Sequence, residues 1–313
     1  MPFRETFDCL WCGRPGTARD AGDLGGWAQL CPECLGRAGD NAFLRTRLRA
    51  AMAERASRAS DASPTAAGGS VSRSTAPTHD ADAATRAYYA ARAPEYDDWY
   101  LRRGRYSHGP VHDAAWHAEL DTAGRWLDEL PMRGQMVELA AGTGWWSPLL
   151  AEKGELSLYD VNEAPLELAR ERLVAHGLRA HLHLRDAWEE PDRRVDGLFA
   201  GFWLSHVPRG RLDDFLRLAR RWLKPGGTFG AIDSLPDPQS GAIDRVAPAA
   251  DRSVRRLADG REFTIVKVFY RPRELHAALL RAGFAEVAVT TTGRFFMLVR
   301  AAAVAEPVGP GGQ

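Results

Sequence analysis

At 313 residues the chain is long enough for one α/β domain of about 200 residues together with smaller modules. Its 41 basic and 41 acidic side chains cancel, which excludes a protein whose overall field gathers nucleic acid or an anionic membrane surface. No apolar run approaches the roughly 18 residues that span a bilayer, and Met1-Pro-Phe-Arg-Glu carries no signal-peptide core, so a soluble, cytoplasmic protein is expected.

All four cysteines lie near the start, as Cys9-x-x-Cys12 and Cys31-x-x-Cys34. Two such knuckles bring four thiolates to the corners of a tetrahedron, the closed arrangement of structural zinc. The reading is a small zinc ribbon over residues 1–40, with Cys9, Cys12, Cys31 and Cys34 as ligands and a metal that holds the fold. Iron in a rubredoxin-like site satisfies the same spacing. Two disulfides need an oxidising compartment, and a redox dithiol needs one pair only. Residues 41–58 form an expected helix, with Asp40 as cap and Phe43, Leu44, Leu48, Ala51 and Met52 on one side. Arginines on its remaining faces raise nucleic-acid contact through the ribbon as an alternative. Residues 1–60 nevertheless hold nine arginines against seven acids, and four thiolates around a divalent ion add about two negative charges, leaving little net field.

Residues 59–84, rich in Ser, Ala, Gly and Thr and punctuated by Pro64 and Pro77, are expected to be a flexible linker, because they cannot bury enough surface to offset the entropy of ordering. The stretch from Tyr88 through Tyr96 to Tyr100 then places aromatic rings and acids just ahead of the next domain, where a helix can close over a pocket or simply pack on a sheet. His108, His112 and His117 recur closely, but Gly109-Pro110 interrupts them and the last two fall on different sides of a helix, so they read as surface or pocket-edge residues. A core helix follows over 116–130.

From residue 135 the pattern alternates. Strands are expected at 135–139, 155–160, 179–185, 195–203 and 227–233, with helices at 145–153, 163–176 and 209–223 between them. A hairpin near 253–270, a helix at 272–282 and strands at 284–291 and 294–301 complete the domain over residues 85–301. The tail, 302–313, is expected to be disordered. Such alternation implies a doubly wound, mostly parallel seven-stranded α/β sheet with an antiparallel edge. Ligands in such sheets bind at the carboxyl ends of the strands.

The first of these strands, Gln135-Met-Val-Glu-Leu, runs into Ala140-Ala-Gly-Thr-Gly144, and Glu138, Ala140, Gly142 and Gly144 fall at alternate positions. This backbone can pass close under a ligand. Asp160 closes the second strand, where an acid can accept hydrogen bonds from both hydroxyls of an adenosine ribose. A dinucleotide turn needs a third glycine at the position held by Ser147. Trp145 and Trp146 are instead expected to wall a compact, uncharged or cationic group.

With these residues in place, the chain resembles the class I S-adenosylmethionine-dependent methyltransferases, with Ala140 at the first glycine of the acid-x-Gly-x-Gly-x-Gly turn. Asp160-Val161 matches the ribose-binding acid and its neighbour, and Asp186-Ala187-Trp188 the adenine-contacting segment. Phe202-Trp203-Leu204-Ser205-His206-Val207-Pro208 matches the segment that ends the fourth strand, and Leu223-Lys224-Pro225-Gly226-Gly227 the turn before the fifth. The resemblance implies S-adenosylmethionine held by Tyr88, Glu138, Ala140, Gly142, Gly144, Asp160, Val161, Asp186, Ala187, Trp188 and Phe202. His206, just past the fourth strand, is the candidate general base because an ordinary imidazole suits proton transfer near neutrality, although related enzymes often carry a histidine here that only shapes the pocket; Tyr96 and Tyr88 are candidates for positioning the acceptor or the donor's carboxylate. Trp203, Phe202 and the 236–252 insertion with Asp237, Asp244 and Arg245 are candidates for the acceptor wall.

A small-molecule acceptor, as in specialised metabolism, is the leading expectation. An RNA or protein methyltransferase that uses the ribbon for recognition is the alternative, and a non-enzymatic binding module the third reading. The oligomeric state and the acceptor atom stay open.

Overall fold

The computed structural model describes residues 6–8, 15–17, 77–244 and 251–304. Two compact units divide the chain, residues 1–74 and 75–313. In the first, strands β1 (Thr6–Asp8) and β2 (Pro15–Thr17) pair antiparallel with Thr6 opposite Thr17. The four cysteines and the helix expected over 41–58 lie outside the described residues.

The second unit opens on α1 (Pro77–Arg92), which begins inside the stretch expected to be linker. Pro77 takes the first helical position, where its missing N–H costs nothing, and alanines follow. The segment reads as linker because its large side chains, Tyr88 and Tyr89, come only near the end. A short 3-10 turn leads to α2 (Asp97–Tyr100) and then α3 (Pro110–Glu129). Gly109, at φ 95, allows α3 to start ahead of the expected Trp116. His112 is consequently buried rather than at the surface, its ring 5.0 Å from His108 and 5.2 Å from Phe295. Among the described residues no cluster of three or more His, Cys, Asp or Glu could hold a metal ion, and no helix is long and apolar enough to cross a membrane.

The sheet is built from β3 (Gly134–Leu139), β4 (Gly154–Asp160), β5 (His181–Leu184), β6 (Val195–Gly201) and β7 (Leu223–Ser234), which pair parallel in the order β7-β6-β3-β4-β5. After the hairpin β8 (Arg252–Arg256) and β9 (Glu262–Val266), strands β10 (Phe284–Thr291) and β11 (Phe296–Ala303) add antiparallel, β11 against β7 and β10 at the edge. Seven strands, five of them parallel, match the expected architecture. Helices α4 (Ser147–Ala151), α5 (Glu163–Ala175), α6 (Leu212–Trp222) and α7 (Pro272–Arg281) connect them.

Side chains alternate between faces along each strand, and both faces are apolar, as burial on two sides requires. Val137, Leu139 and Leu198 join Phe215, Trp222, Leu275 and Leu279 in one core. Met136, Leu158 and Phe199 join Trp116, Leu127, Leu166 and Leu173 in the other. Leu212, Phe215, Leu216, Ala219 and Trp222 recur at helical spacing on the buried face of α6.

Strand β6 stops at Gly201, short of the expected residue 203, because Phe202 adopts φ 56. Ala140, just past β3, adopts φ 50. A side chain in this left-handed region costs about 1–2 kcal/mol, and such strain gathers where surrounding structure enforces it at functional sites. These two residues flank the point where the strand order reverses between β3 and β6.

Candidate active site

The strand ends converge on one cleft. Tyr96, Ala140, Gly142, Asp160, Val161, Asp186, Ala187, Trp188, Phe202 and His206 line it, together with Thr85, Arg86 and Tyr89 from α1. Helix α1 and the turn after it therefore form one wall.

Each acid has a defined role. Asp160 Oδ2 accepts the Gly142 N–H at 2.9 Å and Oδ1 accepts that of Asn162 at 2.8 Å. Burial raises the Asp160 carboxyl above the usual range, and the backbone donors of Asn162, Gly142 and Val161 oppose that rise. Asp186 Oδ1 accepts the Trp188 N–H at 3.0 Å, and Oδ2 meets Arg86 at 3.3 Å. The glycine turn is tied to α2 and α5: Thr143 donates to Asp97 at 2.7 Å, and Arg172 binds both Asp97 and the Thr143 carbonyl.

Three expected cofactor residues sit elsewhere. Tyr88 points away from the cleft, in a small core with Leu257 and Ile265, because successive helical residues are turned by about 100°. Tyr89 lines the cleft in its place. Gly144 packs under the turn rather than facing the cleft; a Cβ there would lie 2.6 Å from that of Ala169. Glu138 is buried beneath the turn, where it accepts a hydrogen bond from Ser147 at 2.5 Å. Trp145 and Trp146 do not line this cleft. Trp145 stacks flat on Tyr100 at 4.1 Å, and Trp146 is buried against Gly201.

Burial pushes the Glu138 carboxyl up to about 8, with Asp160 adding to the rise and Ser147 and Arg172 opposing it. A proton held more tightly in the folded than the unfolded chain stabilises below the unfolded value, and that contribution disappears as pH rises toward 8. Wild type is therefore expected to lose stability over this window by up to about 1.4 kcal/mol per pH unit, whereas Glu138→Gln keeps its stability. Denaturant melts of both proteins at pH 4.5 to 8 check it; parallel curves would show that Glu138 stays charged.

His206 is buried on the short 3-10 turn that follows β6. Its Nδ1 lies 2.7 Å from the Val266 carbonyl, which can only accept, so Nδ1 carries the hydrogen. Nε2 therefore accepts from the Tyr89 hydroxyl, 2.7 Å away. Burial holds this imidazole well below the usual histidine range, and the charges of Lys267, Arg255 and Arg92 lower it further. The ring is neutral at physiological pH.

Behind this pair lies a second cavity. Tyr89, Tyr96, Phe202 and His206 line both spaces. The far walls come from α1, the β8–β9 hairpin and residues 240–244. Asp244 lines this cavity. Asp237 instead pairs with Arg294 at 2.7 Å, and Arg245 lies outside the described residues. Arg92, Arg255, Lys267 and Tyr106 also line it, none of them singled out from the sequence; a lysine in a chain with three, at an apolar strand end, was the available signal for Lys267.

A family model described as a methyltransferase domain matches residues 136–227. The chain is 33% identical over 173 residues to the ubiquinone/menaquinone biosynthesis C-methyltransferase UbiE of Escherichia coli O139:H28, an overlap of 50% of this chain and 68% of that protein. The same enzyme from Azotobacter vinelandii is 28% identical over 171 residues, 49% of this chain and 66% of the relative. Among solved structures, a DhpI–SAH complex superposes with a TM-score of 0.57 at 28% identity, covering 73% of this chain and 100% of that one. A DhpI–SAM–HEP complex gives 0.57 at 29% identity, covering 72% and 99%.

Proposed function

The chain belongs to the class I S-adenosylmethionine-dependent methyltransferases, and on that premise we propose that it methylates a small-molecule acceptor bound in the cavity behind Tyr89 and His206. The shared wall of Tyr89, Tyr96, Phe202 and His206 between two neighbouring cavities carries this reading: donor and acceptor can meet at one place.

The residues of the first cleft fit the methyl donor. A Cβ on Gly142 would meet nothing within 4 Å, so the backbone there faces open space of the kind a ligand fills. Asp160 lines the cleft at the end of β4, where its carboxylate can accept from ribose hydroxyls. Asp186, Ala187 and Trp188 border the adenine end. When bound, S-adenosylmethionine supplies a methyl group on a cationic sulfur. The chain's own residues orient the acceptor, exclude water and move one proton. The proton leaving the acceptor passes to the Tyr89 oxygen as the Tyr89 proton moves to His206 Nε2, and the Val266 carbonyl holds the resulting imidazolium. Tyr96 positions the acceptor beside them.

Incubating the full chain with methyl-labelled donor and either a metabolite extract or total RNA tests this. Label is expected in the small-molecule fraction, and Tyr89→Phe is expected to slow its transfer by about 100-fold, the scale of a lost proton-transfer group. Label in RNA or protein that disappears on removing residues 1–60 would favour the ribbon-guided alternative. We also assign Cys9, Cys12, Cys31 and Cys34 to a structural zinc site, from their spacing alone. Metal analysis of the purified chain is expected to find one zinc per molecule; iron, or no metal, contradicts the assignment.

A further inference from the structure

The second cavity is lined by more positive than negative charge. Arg92, Arg105, Arg255, Arg256 and Lys267 face Asp244 and Glu262. Both carboxylates are already taken: Asp244 binds Arg105 at 2.5 Å, and Glu262 binds Arg256 at 2.5 Å. Lys267 is held by Ser205 at 2.7 Å, by Ser234 at 3.3 Å and by Asp233 at 3.7 Å. Two arginines are left over.

Arg92 is the unusual one. It is only 7% exposed, and its Nε has no hydrogen-bond partner among the described residues. A buried guanidinium normally takes a carboxylate or several carbonyls, since leaving it unmatched costs several kcal/mol. Here it is surrounded by rings instead, 4.6 Å from the centroid of Tyr96, 5.5 Å from Tyr106 and 5.6 Å from Tyr88. Glu95 is near enough for its charge to be felt, but its Oε2 accepts the Ala258 N–H at 3.0 Å and forms no ion pair with Arg92. Arg255, on β8, lines the same space without an ion pair among the described residues. Tyr96 separates this cationic corner from the donor cleft.

Resting on the reading of this cavity as the acceptor's, we propose that the acceptor carries an oxyanion, a carboxylate or a tetrahedral phosphate-type group, which Arg92 and Arg255 bind. The planar fork of Arg92 suits either group bidentately, and the tyrosine cage fixes its plane. An anion seated there would place the rest of a short molecule against Tyr89 and His206. It would also offset the charges of Lys267, Arg255 and Arg92, which add to burial in disfavouring protonation of His206.

The test uses the full chain, with and without S-adenosylhomocysteine, titrated by calorimetry with inorganic phosphate in one arm and benzoate in the other, at constant ionic strength. Saturable millimolar or tighter binding of at least one anion is expected, and the arm that binds distinguishes a tetrahedral from a planar group. Arg92→Met and Arg255→Met are each expected to weaken it about ten-fold or more, the scale of a lost charge-assisted pair. Affinity for S-adenosylhomocysteine is expected to stay unchanged. Arg255→Met decides the matter if Arg92→Met does not fold. Absence of saturable binding in both arms, or equal binding by wild type and variants, overturns the proposal. Anion binding without any S-adenosylhomocysteine binding would instead sink the donor-cleft reading and leave this one standing.

Discussion

Asp160→Ala is expected to weaken S-adenosylhomocysteine binding by about 100-fold or more. Each oxygen of Asp160 already accepts one backbone N–H, from Gly142 and from Asn162. The carboxylate still lines the cleft, where it can accept from the hydroxyls of a ribose. Hydrogen bonds to a charged group contribute about 1.5–3 kcal/mol each, so losing two costs about 3 kcal/mol or more, the equivalent of that fold-change. Asp160→Asn keeps the shape and one acceptor, and a smaller loss is expected. Calorimetry on both variants checks this, with circular dichroism to confirm folding; wild-type affinity in Asp160→Ala would remove the carboxylate from the site.

The second large effect separates two glycines of the same turn. A methyl on Gly144, at φ 68, would lie 2.6 Å from Ala169 Cβ and 2.9 Å from its Cα, so α5 would have to move. Gly144→Ala is expected to lose about 3 kcal/mol or more, a large share of the roughly 5–15 kcal/mol that holds a domain together. Gly142, at φ 56, has open space where its Cβ would go. Gly142→Ala is expected to fold with a strain cost of about 1–2 kcal/mol and to bind donor poorly, because the new methyl occupies the cleft. Denaturant unfolding and donor titration of both variants distinguish them. Equal stability losses would show that the turn does not divide its work this way.

The sheet and its cleft were legible in the sequence because their signals are local. Apolar strands ending in Glu138, Asp160, Asp186 and Phe202 alternate with helical periodicity, and the chain can close such a pattern in few ways. What escaped depends on direction or on distance along the chain. Adjacent Tyr88 and Tyr89 look equivalent in a sequence, but the step of about 100° between them on α1 sends the first into a core with Leu257 and the second to the cleft. Gly144 and Glu138 share the motif's spacing with Gly142, yet support the turn from below. The bond between Tyr89 and His206 joins residues 117 apart, and Arg92 reaches the hairpin cavity only through tertiary packing. The positive φ of Phe202, which ends β6 early, follows from its surroundings and not from its own preference.

The most direct measurement is a crystal structure of the full chain with S-adenosylhomocysteine. Both ribose hydroxyls are expected within about 3 Å of the Asp160 carboxylate, the adenine beside Asp186 to Trp188, and the sulfur turned toward Tyr89, Tyr96 and His206. The ligand bound away from these strand ends, or with its sulfur facing solvent rather than the second cavity, would contradict the account.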